Sequence, residues 1–172
     1  MNKFFIGVGA IIVIGLLLVA IMFGFIPGLE LLGAEEPGLS GGSNNVCDYS
    51  ERDIYAAVCG MAGKTFNYLE FQAYSDSLDF RLCGVDGYTT VNTINDFKTS
   101  YASQGMNLEL EQAVGSGSWS GTLCLWSKQG VIYGITAGEG AGVSAVFNRD
   151  VMYLTGKGTM TEWQQFLAWA TT

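Results

Sequence analysis

Residues 4–26 hold no charged and no strongly polar side chain, and no other feature constrains the chain so tightly. As an α-helix these 23 residues would measure about 34 Å at ~1.5 Å per residue, against a hydrocarbon core of about 30 Å. A cleaved signal peptide would have an apolar stretch of about 7–15 residues, with small residues three and one before the cut. This run is longer, and the nearest candidate cut, Leu32-Gly33-Ala34, has Leu where a small residue is needed. The expectation is an uncleaved single-pass anchor over residues 1–27, stopped by Pro27 and Gly28, with the bilayer as a partner through residues 4–26. Lys3 precedes the run, while Glu30, Glu35 and Glu36 follow it. Positive charge stays on the cytoplasmic side, which predicts a cytoplasmic amino terminus and an extracytoplasmic remainder.

Residues 28–45 are rich in Gly, Ser and acid and show no hydrophobic period, as in a flexible tether. The domain expected at 46–172 is long enough to bury its own core. Across the 172 residues, 8 Lys and Arg stand against 16 Asp and Glu, for a formal net charge of −8 and no histidine. An acidic chain gains nothing from counterion release, so nucleic acid is excluded as an expected partner. Without histidine there is no Ser-His-Asp or Cys-His machinery and no His-ligated metal. No cofactor, metal or catalytic residue is expected.

Hydrophobic periods alternate along 46–172. Ser50 and Asp53 have capping-box spacing, and Ile54, Ala57, Val58 and Met61 follow at helical intervals up to Gly60–Gly63. Residues 66–74 and 78–83 read as strands joined at 75–77, the second with Leu78, Phe80 and Leu82 alternating with Asp79 and Arg81. Ile94, Phe97 and Tyr101 mark a helix. Leu108 and Leu110 alternate with Glu109 and Glu111, the carboxylates forming a solvated face. Residues 119–127 place Leu123 and Leu125 on one side, Cys124 and Trp126 on the other. After a turn at 128–130, strands are predicted at 131–135, 143–147 and 151–154, the last two as a hairpin around Asn148-Arg149-Asp150. Thr159 and Glu162 then open a closing helix that presents Trp163, Phe166, Leu167 and Ala170. The sum is an α+β domain: a mainly antiparallel sheet, about three helices, and those helices on one face.

Cys47, Cys59, Cys83 and Cys124 all follow the apolar run, and an even count in an oxidising compartment predicts two disulfides. Three pairings are open and the sequence does not choose among them: Cys47 with Cys59 requires the chain to fold back along the first helix, while Cys83 and Cys124 lie at strand positions that could bridge neighbouring strands. The run Gly60-Met61-Ala62-Gly63-Lys64-Thr65 invites a phosphate-loop reading, but Val58 stands where the motif needs Gly. It reads as a helix stop. Gly156, Lys157 and Gly158 follow a strand and precede a helix, which makes them a weak anion-loop candidate. Trp119, Trp126, Trp163 and Trp169 are candidates for a sugar or lipid platform, although most such residues pack cores.

Two functions remain. The first is a membrane-anchored extracytoplasmic interaction or accessory domain, non-catalytic, serving another membrane or envelope protein. The alternative is an extracytoplasmic binding domain for a small sugar or apolar ligand. A flat apolar patch would favour the first and a lined cleft the second.

Overall fold

The computed structural model describes Leu39 and residues 45–171. The chain divides into units Met1–Glu35 and Glu36–Thr172, and only the second contains described residues. The expected anchor over 4–26 and nearly all of the expected linker therefore lie outside them. Among the described residues no helix is long and apolar enough to cross a membrane.

The described unit is α+β, with five helices and one five-stranded antiparallel sheet. In chain order the elements are α1 (Glu51–Ala62), α2 (Tyr68–Leu78), β1 (Arg81–Val85), α3 (Thr90–Ser103), β2 (Asn107–Ser116), β3 (Trp119–Lys128), β4 (Val131–Glu139), α4 (Ala141–Phe147), β5 (Val151–Gly158) and α5 (Met160–Thr171). The sheet order is β1-β5-β4-β3-β2. Both predicted capping boxes are present. Ser50 Oγ accepts from Asp53 N–H while the Asp53 carboxylate accepts from Ser50 N–H, and Thr159 and Glu162 repeat the exchange ahead of α5.

Two predicted strands are helices. Residues 66–74 belong mostly to α2, where Asn67 Oδ1 accepts from Leu69 N–H at 2.9 Å and Phe71, Ser75 and Leu78 form the buried stripe. Those three recur at spacings of four and three, a period masked by the aromatic content of the run. Asp79 closes α2 with φ 49°, so the strand begins only at Arg81. Residues 143–147 belong to α4, of which Val143 alone is buried. A short apolar run does not by itself separate strand from helix. Asn148 ends α4 at φ 52°, and 148–150 connect a helix to a strand rather than closing a hairpin. The helix count is accordingly five rather than about three.

Helices cover both faces of the sheet, not one. One face presents Leu123, Leu125, Ile132, Met152 and Leu154 to Ile54, Val58, Phe71, Leu78, Val143, Trp163 and Phe166. The opposite face presents Cys124, Trp126 and Tyr153 to α3, with Phe97 5.5 Å from Tyr153 and Tyr101 5.0 Å from Trp126, ring centre to ring centre. The unbroken apolar run Val151-Met152-Tyr153-Leu154, buried throughout, is what a strand covered on both sides requires. On β4, Gly134 makes room for α5: the Trp163 indole lies on it and donates from Nε1 to Ile132 O at 3.3 Å.

A disulfide joins Cys47 to Cys83, with Cα atoms 4.1 Å apart. An antiparallel bridge between Val46 and Gly84 adjoins it. The chain thus enters the domain along β1, beside Cys83 rather than beside Cys59. The expectation of two bridges is corrected to one, since Cys59 and Cys124 are thiols. Cys59 lies on α1, which packs on one face of β2 and β3, whereas Cys124 points from β3 to the face that α3 covers, so the sheet separates them.

Candidate functional site

α1 crosses the sheet over β2 and β3, and α5 packs over β4. Between them lies a cavity of about 340 Å³. Val58, Met61 and Ala62 of α1 form one wall, and Phe166, Leu167 and Ala170 of α5 form the other. The floor is Leu123, Thr136 and Leu154, and residues 112–115 of the edge strand β2 form the rim. Small side chains at Ala62 and Ala170 leave the space that larger ones would fill. Lys64 is the one charged residue of the lining, accompanied by the polar side chains of Gln112 and Thr136.

Lys64 reaches this position through the way α1 ends. Gly63 adopts φ 67°, its N–H donates to Gly60 O at 3.3 Å, and Lys64 N–H donates to Cys59 O at 3.1 Å. These two bonds form a Schellman motif, whose next position usually carries an apolar side chain packed back on the last helical turn. Here that position is a lysine. Its stem is partly buried, and its Nζ is shielded from solvent with no hydrogen-bond partner among the described residues. The end of α1 is fixed to the rim as well, since Ser116 Oγ donates to Gly60 O at 2.7 Å and Gly63 has no room for a side chain against Ser116. A shielded ammonium without an acceptor is costly, because water is lost and nothing replaces it.

The residues singled out from sequence lie elsewhere. Trp119, Trp126 and Trp163 are core residues. Trp119 fits against Gly60, Gly138 and Gly142, and Trp126 faces the opposite side of the sheet. Trp169 is half-buried, its ring 4.3 Å from Phe66 and 5.1 Å from Tyr74, and its Nε1 donates to Glu70. The four rings form no common platform. Gly156, Lys157 and Gly158 are strand positions of β5, not a loop. The two glycines accommodate Phe80 and Leu78, and Lys157 Nζ pairs with Asp79 at 2.9 Å. Glu109 and Glu111 are exposed as expected, with Glu111 2.6 Å from Lys98 Nζ. Burial, reinforced by the Glu111 carboxylate, pushes the Cys124 thiol up to about 11, which keeps it protonated and inert near neutrality. Compared with known families, curated proteins and solved structures, the chain matches none.

A second polar cluster, at the corner between β1 and β5, is saturated. Arg149 donates to Asp86 and to Tyr49 Oη, and Asp150 accepts from Gly87 N–H. Among the described residues no three of His, Cys, Asp or Glu are grouped as a metal site. The cavity was not legible from sequence, because its lining comes from six separate elements. Lys64 left one readable signal: a lysine directly after a helix-stopping glycine, where an apolar residue is usual.

Proposed function

We propose that this chain is a bilayer-tethered extracytoplasmic binding domain, non-catalytic, that takes a small apolar ligand between α1 and α5. The observation that carries this reading is the cavity, whose volume lies at the small end of the range for ligand sites. It holds about eleven waters' worth of liquid volume at ~30 Å³ each, which suits a ligand of roughly ten non-hydrogen atoms. The competing reading, an accessory module acting through a surface patch, has less support. Among the described residues the exposed large apolar side chains Tyr68, Leu69, Val91, Leu108 and Val146 are distributed over four elements, and single exposed apolar residues are ordinary. The Cys47–Cys83 bridge accords with an oxidising compartment.

Two measurements test the proposal. Protease added to intact cells should digest the 46–172 region; survival of that region until the membrane is broken would overturn the location. The full-length chain in lipid nanodiscs should bind 1-octanol saturably above empty nanodiscs, and Ala170→Trp should abolish that excess. Octanol uptake no greater than that of empty discs would overturn the ligand reading.

A further inference from the structure

We propose that the α1/α5 cavity recognises a monoanionic carboxylate carried on a short apolar tail, with Lys64 Nζ as the headgroup contact. The inference rests on the binding-domain reading above and names its ligand class. Three observations converge. The lining is apolar except for Lys64, Gln112 and Thr136, so it suits a chain of methylenes. The Nζ is shielded and unpartnered among the described residues, so the protein supplies a cation and leaves its acceptor to come from elsewhere. The lining contains no acid, although acids outnumber bases two to one in the chain as a whole. In a chain of net charge −8 an anion meets repulsion over most of the surface, and the cavity is a local exception.

Headgroup size follows from the same lining. A phosphate monoester brings nearly two charges and three acceptor oxygens and calls for several donors. One ammonium, with an amide and a hydroxyl in the same lining, matches the two oxygens and single charge of a carboxylate. The ammonium gains the acceptor it lacks, and the tail displaces water from an apolar wall. The two contributions are separable: the tail should bind weakly alone, and the head should set the preference among tails of equal length.

The test compares octanoate, 1-octanol and octylammonium by equilibrium dialysis against the full-length chain in nanodiscs, with empty discs subtracted. Octanoate should bind at least about tenfold tighter than octanol, and octylammonium more weakly than octanol. Lys64→Met should bring octanoate to the level of octanol while leaving octanol binding in place, which also reports that the cavity is still folded. Lys64→Arg should retain the preference. Octanoate should further shift the Lys64 ε-methylene resonance in Lys-labelled protein, a readout on the unaltered chain. Equal binding of octanoate and octanol, or a preference that survives Lys64→Met, would overturn the carboxylate assignment while leaving the apolar-ligand reading intact. Absence of saturable binding by all three would overturn both. If Lys64→Met loses every ligand, the wild-type resonance decides: a Lys64 shift with octanoate and none with octanol upholds the assignment, and any other pattern removes it.

Discussion

Gly134→Ala should be among the most damaging single-methyl additions available to this chain. A Cβ at Gly134 would lie 2.3 Å from Cη2 and Cζ2 of Trp163 and 2.9 Å from its Cε2. Carbon atoms sit about 3.5–4.0 Å apart at rest, so the indole must lift by roughly 1 Å. Trp163 is 1 % exposed, so nothing yields easily around it. Its Nε1 is already 3.3 Å from Ile132 O, and such a lift takes that bond out of range. Overpacking costs about 1–3 kcal/mol, and a buried indole N–H left unpaired costs about 1–3 kcal/mol more. Alanine recovers about 0.5–1 kcal/mol of backbone entropy in a strand. The net loss is about 1–5 kcal/mol, against a total stability of about 5–15 kcal/mol. Urea unfolding of the full-length chain in mild detergent should register this as a midpoint lowered by about 0.5–2.5 M, at a slope of about 2 kcal/mol/M. Trp163→Phe placed on top of Gly134→Ala should recover part of the loss, because the smaller ring clears the new methyl. An unchanged midpoint for Gly134→Ala, or strict additivity in the double variant, would refute the account of α5 docking on Gly134.

Intact-mass alkylation without reductant should find two thiols in the unfolded chain; none or four would contradict the single bridge. In the folded protein Cys124 should stay unmodified near neutral pH, as its raised pKa and burial require. Reducing Cys47–Cys83 opens a 36-residue loop and should lower stability by about 4 kcal/mol on the chain-entropy model, measured as a midpoint shift between Cys47→Ser/Cys83→Ser and wild type. Phe166 is 6 % exposed, so Phe166→Ala should cost about 3–5 kcal/mol in the same urea assay. The Glu162 carboxylate is held below its ordinary value of 4.5, first by the Thr159 N–H and then by the Thr159 hydroxyl. A depressed folded value means the contribution is complete above the unfolded pKa and is lost as pH falls through the folded one. Glu162→Gln should therefore flatten the acid limb of the stability profile below about pH 4.5 and leave a smaller difference there than at pH 7.

What could be read from the sequence depended on how local the signal was. The caps at Ser50 and Thr159 and the turn at Gln129-Gly130, with φ 52° and 83°, are written in adjacent residues and were legible. So were the alternating strands β2 to β4. The helices α2 and α4 were not, because short aromatic and β-branched runs suit either state until tertiary packing chooses. The second helical layer was latent in Val151-Met152-Tyr153-Leu154, which lacks the polar alternation of a half-exposed strand. The cavity had no local signature at all. Its residues are ordinary one by one, and only the placing of α1 and α5 on the same face of the sheet brings Ala62, Lys64 and Ala170 to one cavity. The cysteine pairing likewise depended on the Val46–Gly84 bridge, which brings residues far apart in sequence side by side.

The Cys47–Cys83 bond also determines how the domain bears mechanical load. A pull on the segment preceding Cys47 meets the disulfide before it reaches α1 and passes from it straight into β1, short-circuiting α1 and α2. The backbone bridge at Val46 and Gly84 meets that tension one residue ahead of the disulfide, with N to O distances of 3.0 and 2.8 Å. While the bond is intact, the 36 peptide steps from Cys47 to Cys83 contribute nothing to extension, withholding roughly 120 Å of contour length at ~3.4 Å per residue. One wall of the cavity lies within that enclosed loop, on α1, together with Lys64. A stretched but oxidised domain keeps that wall as a closed covalent ring, and reduction is the event that allows tension to unravel it.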